Sequence, residues 1–270
     1  MTSTPDWRVV AAVVAKDLTA VRRSKAVVLP MLLVPALLLV VLPLVVGLAA
    51  RGHAADLGPF LGALPGDLAR PILDLPEQEQ LIVLVNGYLL APLFLIVPLM
   101  VSAVLAADGF AGEKERRTLE SLLHQPVSDR DLFVAKLLGA YVPAITVAWV
   151  GFLAFAVVTN TVAWPTMHRV FVPTRLWGVM ILWVAPAVAA LGLGVMVRVS
   201  ARVRTTQEAN QLGGAVILPL IFLAVGQATG LLLVDLEIAV AAGAVIWVVA
   251  VALIVRGASR FTRDQLAARM

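Results

Sequence analysis

The chain has 270 residues, 61% of them apolar and only 14% charged, with a mean hydropathy of +0.96. Soluble domains carry about half apolar and about a quarter charged residues, so a water-soluble globular fold is excluded and lipid must be the main solvent. Cysteine is absent, which removes disulfides, thiol nucleophiles and thiolate metal sites, and the pI near 10.0 comes from 21 Lys and Arg against 17 Asp and Glu.

Residues 1–25 predict a helix lying in the membrane surface. Thr4 can cap it and Pro5 suits its first position. Trp7, Val10, Val14, Leu18 and Val21 recur at spacings of three and four, with Arg8, Lys16, Thr19 and Arg23 on the other side, a pattern that puts Trp and Val in the acyl boundary and cations among headgroups. Six apolar stretches follow: TM1 at 26–50, TM2 at 81–107, TM3 at 137–159, TM4 at 176–197, TM5 at 212–234 and TM6 at 238–255. Each approaches or exceeds the roughly 20 helical residues a bilayer core requires, and none contains Asp, Glu, Lys, Arg or His. TM1 reads as retained rather than as a cleaved signal, because 25 residues precede it and no small-residue cleavage pattern follows. The predicted fold is therefore an all-α membrane protein, residues 1–270 forming a single transmembrane domain with six transmembrane helices and an N-terminal amphipathic interfacial helix.

The external loop 51–80 is punctuated by Pro59, Pro65, Pro71 and Pro76 and reads as short pieces over one mouth of the bundle. Prolines inside the spans (Pro30, Pro35, Pro43, Pro92, Pro98, Pro143, Pro186 and Pro219) predict kinks with freed carbonyls. Gly226 and Gly230 form a G-x-x-x-G pair suited to close helix contact. Orientation follows the basic residues: seventeen of the 21 lie in the amino-terminal segment, the second and fourth connections and the tail 256–270, against Arg51, Arg70, Arg169 and Arg175 in the alternate connections. The positive-inside rule then puts both termini in the cytoplasm of a multi-pass protein of the cell membrane. Because these cations are spread over four membrane-flanking segments, topology explains them and a nucleic-acid partner is not indicated.

The spans offer few groups for chemistry. Asn86, Tyr88, Ser102, Thr146 and Gln227 are the polar candidates; they read mainly as helix-to-helix hydrogen bonds, with Asn86, Tyr88 and Gln227 the candidates for a substrate path. A proton- or sodium-driven carrier normally keeps ionisable groups in its spans, and here there are none. Intramembrane hydrolysis needs a nucleophile with a base, or metal ligands, whereas His53, His124 and His168 all lie outside the spans. No catalytic residue and no metal site are predicted. A G-x-x-x-x-G-K-[ST] loop is also missing, so ATP hydrolysis is not expected in this chain, which reads as a non-enzyme.

The segment 108–136 draws attention instead. Helix formers fill its first half, with Glu113 and Arg117 at i, i+4 in the favourable order, and Leu119, Leu122 and Leu123 give a short apolar edge. Gln125-Pro126 stops that helix, and Ser128 with Asp131 begins the next by a capping box. The expectation is a short charged helix between TM2 and TM3, a lever that a soluble partner could push.

The run Phe110-Ala-Gly-Glu-Lys-Glu-Arg-Arg-Thr-Leu-Glu-Ser-Leu-Leu-His-Gln-Pro-Val-Ser-Asp, followed by Lys136, resembles the signature between the second and third helices of ABC-2 type transporter permeases. Lys16-Asp17 and Arg22 to Lys25 are similar to that family's connecting helix. Ser200-Ala-Arg-Val-Arg-Thr-Thr-Gln-Glu-Ala-Asn is similar to its second cytoplasmic connection, and there Thr205 and Glu208 make a further capping box. The resemblance implies a permease subunit of an ATP-driven ABC exporter, whose cytoplasmic coupling helix docks on a separate ATP-binding subunit. Glu113, Lys114, Glu115, Arg116, Thr118, Leu119, Glu120 and Leu122 would form that interface. Implied partners are two copies of the ATP-binding subunit, which would hold ATP and Mg, and a second permease copy or a paralogous permease. Uncharged spans suit a hydrophobic or amphipathic cargo. Two alternatives stand beside this reading, a non-transporting membrane scaffold or signalling subunit and a sodium-extruding ABC permease.

Overall fold

A computed structural model describes residues 6–52, 72–115, 128–200, 203, 205–214, 218 and 236–258. Among these described residues the chain forms seven helices and no strand. Helix α1 is Trp7–Arg23. Helix α2 covers residues 25–52, in which Lys25–Ala36, Leu37–Val41 and Leu42–Gly52 run on without a break. Helix α3 covers residues 77–115, α4 is Asp129–Met167, α5 is Arg175–Ser200, α6 is Thr206–Gly214 and α7 is Leu236–Ala258. Five of them, α2, α3, α4, α5 and α7, are long and apolar enough to cross a membrane. Most of the sixth expected span, 212–234, lies outside the described residues, as does the Gly226/Gly230 pair.

Proline shapes three of the spanning helices in the same way. Wide π-type turns occupy Leu37–Val41 in α2, Val83–Leu89 in α3 and Met180–Val184 in α5. Each contains the residue four positions before a proline: Leu39 before Pro43, Tyr88 before Pro92, and Leu182 before Pro186. A proline cannot donate to that carbonyl and its ring collides with it, so the helix widens there.

Helices α3 and α5 form the centre, with 67% of their apolar windows buried, whereas the corresponding share is 28% in α2 and α4 and 17% in α7. Gly192 allows the central approach: a Cβ there would stand 2.6 Å from Ser102 Oγ and 3.0 Å from the Leu99 carbonyl oxygen on α3. Small residues at helix contacts matter in lipid, where close packing replaces the hydrophobic drive. In the half of the bundle near Trp177, the rings of Phe94, Phe152 and Phe155 gather around that fully buried indole, with Phe155 4.6 Å from it. The other half is filled by Val101, Ala107, Phe110, Phe133, Ala144 and Met196. On α4, Val142, Trp149, Val150, Leu153, Val157 and Trp164 form an exposed apolar stripe, as a lipid-facing surface requires.

Helix α4 is longer than the span expected at 137–159. Its 39 residues extend about 58 Å at 1.5 Å per residue, against a hydrocarbon core of about 30 Å, so it projects beyond the core. Eight extra residues lie at its start, where the Ser128 hydroxyl accepts from the Asp131 amide as the capping box predicted. At the other end His168 stops it in the left-handed region, φ 48°.

Candidate functional site: the capped helix ends

The Arg- and Lys-rich segments bring α1, the end of α3, and the starts of α4 and α6 to one end of the bundle, which we term the basic end. Thr4 and Pro5, the start expected from sequence, lie outside the described residues, and the first described helix there begins at Trp7, capped by Asp6. The reason is the Asp6 carboxylate, which accepts from the Arg8 amide at 3.0 Å, a stronger cap than a hydroxyl because it is charged and faces the positive end of the helix dipole. The apolar side of α1 differs from expectation. Trp7 is 63% exposed, but Val10, Val13 and Val21 are buried against protein: Val10 and Val13 pack on Leu132 and Ala135 of α4, and Val21 joins the cluster containing Phe110 and Phe133. Projection of α4 supplies the surface on which α1 rests, so part of the valine stripe faces protein in place of the acyl boundary.

Polar contacts fix that docking. The Lys136 ammonium, on a side chain only 2% exposed, donates to Asp17 Oδ2 at 2.8 Å, and Lys16 approaches the same carboxylate at 3.5 Å. A lysine so deeply placed needs a paired anion, since an uncompensated buried charge is expensive. The Asp6 amide donates to Asp131 Oδ1 at 3.3 Å. Asp131 thus links two helix starts: its amide donates to the cap of α4 while its carboxylate accepts from the cap of α1.

A second tie involves Glu115, the last described residue of α3. Its carboxylate Oε2 accepts from both the Thr206 amide at 2.9 Å and the Thr206 hydroxyl at 2.8 Å, placing a negative charge at the start of α6. Thr205 Oγ1 accepts from the Glu208 amide at 3.2 Å, the capping contact expected there. Ala209 is fully buried in the cluster that contains Ala107 and Ala111 of α3. Thus α6 is both capped and packed by α3.

For the predicted coupling surface, Glu113, Lys114 and Glu115 belong to the continuous helix Ile96–Glu115 and do not start a separate short helix. No proline interrupts the chain between TM2 and that point, and buried Phe110 and Ala111 pack in the bundle, so the helix continues through Gly109 and Gly112. Arg116, Thr118, Leu119, Glu120 and Leu122 lie outside the described residues, with Arg117, Leu123 and the Gln125-Pro126 stop. Glu115, placed from sequence at a partner's surface, has its carboxylate turned to Thr206 of the same chain.

Neither of the two described path candidates, Asn86 and Tyr88, lies on an open surface. Asn86 is fully buried, Tyr88 packs half-buried beside Ile82 and Phe171, and Gln227 lies outside the described residues. Ser102 and Thr146, read as helix-to-helix bonds, donate within their own helices, to the carbonyls of Leu99 and Val142. A hydroxyl one turn from a carbonyl finds that partner without help from a neighbour.

At the opposite end Asn160 holds the turn after α4, accepting from the Phe171 and Val172 amides through Oδ1 and donating to the Val172 carbonyl at 2.7 Å. Arg51 donates to the Val162 carbonyl at 2.8 Å, and Arg169 pairs with Glu79 at 2.6 Å.

Sequence reasoning missed the Asp17–Lys136 pair and the Glu115–Thr206 tie. A signal for the first was present: Val13, Asp17 and Val21 follow one another at four-residue steps, so an acid sits on the stripe that becomes buried and calls for a cation opposite. The second had none, because Thr206 is 91 residues from Glu115 and hydroxyl caps are satisfied locally in most helices.

These features define a multi-pass helical membrane protein with capped, charge-paired helix ends. The family model described as ABC-2 family transporter protein matches residues 11–242, and the chain belongs to that family. No curated protein and no solved structure matches it. Membrane subunits of this family are typically non-catalytic and generally pair with ATP-binding subunits.

Proposed function

We propose that this protein is the permease subunit of an ATP-driven exporter, with its basic end in the cytoplasm and two permease subunits enclosing a path for a hydrophobic or amphipathic cargo. Two copies of an ATP-binding subunit, carrying ATP and Mg, act on the segment between α3 and α4. The observation that carries this reading is how residues 116–127 are flanked. Glu115 on one side is tied to the start of α6, and Ser128 and Asp131 on the other are tied to α1. A push on that segment is therefore delivered to α3, to α4, to the docked α1 and to the helix entering the fifth span. Asn86, Tyr88 and Gln227 remain the polar groups of the proposed path; Asn86 meets cargo only when α3 parts from its neighbours.

The test replaces Glu113 and Glu120 with Lys. Glu115→Lys serves poorly, because it also removes the cap of α6. Cargo transport and cargo-stimulated ATPase of the assembled complex should both fall several-fold while membrane insertion is retained. Undiminished coupling in both variants sinks the assignment of this segment. Failure to co-purify with any ATP-binding subunit favours a scaffold or signalling role.

A further inference from the structure

Three spanning helices share one backbone defect. In the wide turn of α5 the Ala185 amide reaches back to the Met180 carbonyl, so the Ile181 carbonyl loses the donor four places on. The donor five places on would be Pro186, which has no N–H. The turn of α2 repeats this: the Leu42 amide bonds the Leu37 carbonyl, and Pro43 follows. In α3 the Leu90 amide is taken by the Val85 and Tyr88 carbonyls, which deprives Asn86. A carbonyl so deprived in lipid must find another partner.

Indoles from neighbouring helices supply it in α3 and α5. Trp149 of α4 donates to the Ile181 carbonyl at 3.2 Å, and Trp177 of α5 donates to the Asn86 carbonyl at 3.0 Å. Two residues after Trp149, Gly151 makes room for the turn of α2, where an added Cβ would stand 2.7 Å from Leu39 Cδ1. One short stretch of α4 thus meets the turns of both α2 and α5. The α5 turn is also seated on α7: Trp183 donates to the Val240 carbonyl at 3.1 Å, and its ring would lie 2.5 Å from a Cβ on Gly243. Leu39, Met180 and Val184 belong to one buried cluster and Val85 packs against it, so the three turns border a common core. Helix α4, by contrast, runs its 39 residues without a wide turn.

We propose that these turns form a hinge layer across the bundle, where the Glu77 end of α3 and the Arg175 end of α5 swing against the unbroken α4, and that the Trp149 and Trp177 indoles are its latches. A helix bends most readily where its own ladder is interrupted, and hinge motion is absorbed by a few such residues. One directional bond from a neighbour then holds each of these two turns, and it can be released without unfolding a helix. The hinge is a property of this chain alone and does not rest on the exporter assignment.

The chain has no cysteine, so spin labels can be placed selectively on the full protein in lipid nanodiscs. Labels on Arg175→Cys and Arg198→Cys bracket the α5 turn, about 34 Å apart at 1.5 Å per residue, and labels on Val142→Cys and Trp164→Cys mark α4 as a control. Pulsed electron resonance should read one narrow distance for each pair in the otherwise natural chain. Trp149→Phe keeps an aromatic ring at a site that is 45% exposed, so the packing survives. It should add a second α5 distance, shorter by several Å, and leave the α4 distance alone. Adding Pro186→Ala, which restores an N–H to the ladder, should return the single α5 distance. Trp177→Phe should do the same to α3, read between Glu77→Cys and Val104→Cys; where that core variant does not fold, the α5 measurement decides alone. An α5 distance unchanged by Trp149→Phe, an α3 distance unchanged by Trp177→Phe, a second α5 distance that survives Pro186→Ala, or equal broadening on α4 overturns the proposal.

Discussion

The two ends of the bundle are held by different physics. At the basic end the ties are charge-assisted: the Asp17–Lys136 pair, the Asp6 and Asp131 carboxylates on neighbouring helix starts, and Glu115 on Thr206. At the opposite end a neutral amide, Asn160, fixes the turn, and an aromatic cluster around Trp177 fills the space beside it; the charged contacts there are Arg51 to a carbonyl and Arg169 to Glu79. The lesson lies in what each kind of contact resists. Close ring packing fails gradually as atoms separate, whereas a carboxylate on a helix start is directional and is lost by rotation of one side chain. The basic end thus adds carboxylate joints between helix starts to its apolar packing, and the opposite end adds a large aromatic cluster to its few polar joints.

Substitutions can break this contrast. Trp177→Ala should have the largest effect on stability, about 3 kcal/mol, the lower end for a large aromatic, because groups leaving a membrane bundle enter lipid instead of water. Trp177→Phe, which keeps a ring but loses part of the indole volume and the bond to the Asn86 carbonyl, should cost about 2 kcal/mol. Denaturant titration in mixed micelles checks both, and equal losses would show that the indole bond outweighs the ring packing.

Asp17→Ala comes next, at about 2 kcal/mol. That is below the range for breaking a fully buried pair, because the Asp17 side chain is 18% exposed and the lysine stem can extend toward water. Asp17→Leu combined with Lys136→Met should recover most of the loss, and a combined variant no better than Asp17→Ala would mean that the pair does more than cancel a charge. Glu115→Gln should cost about 1 kcal/mol as a weakened cap. Its mark should be specific: faster amide exchange at residues 206–209 with α1 unaffected. If exchange rises equally in α1, the basic end behaves as one unit and not as separate joints.

The smallest change sharpens the opposite end. His168 adopts φ 48°, where glycine is at ease and other residues are strained. His168→Gly should stabilise by about 0.5 kcal/mol, the relief being partly offset by the greater freedom of glycine in the unfolded chain. A measured loss would reveal a contact of the imidazole that matters more than the strain.

Local features were readable in the chain itself. The capping positions Ser128 and Thr205 do what their spacing implied, and the family resemblance carried by the residues after Phe110 agrees with the match over 11–242. What misled was any feature whose outcome depended on a distant neighbour. The valine stripe of α1 has the same periodicity whether it meets lipid or protein, and α4's projection decided that Val10 and Val13 meet Leu132 and Ala135. Glu115 has the composition of a partner-facing charge, and only the placement of α6 gives its exposed carboxylate Thr206 as a partner within the chain.

Hydrophobicity, charge placement and capping patterns act over a few residues and so determined by themselves that the chain crosses a membrane repeatedly and where most helices begin. The partners of Lys136 and Glu115 were decided by tertiary structure alone. Each depends on which helices lie side by side and in what register, and in lipid that choice rests on close packing around residues such as Gly192, which no local periodicity records.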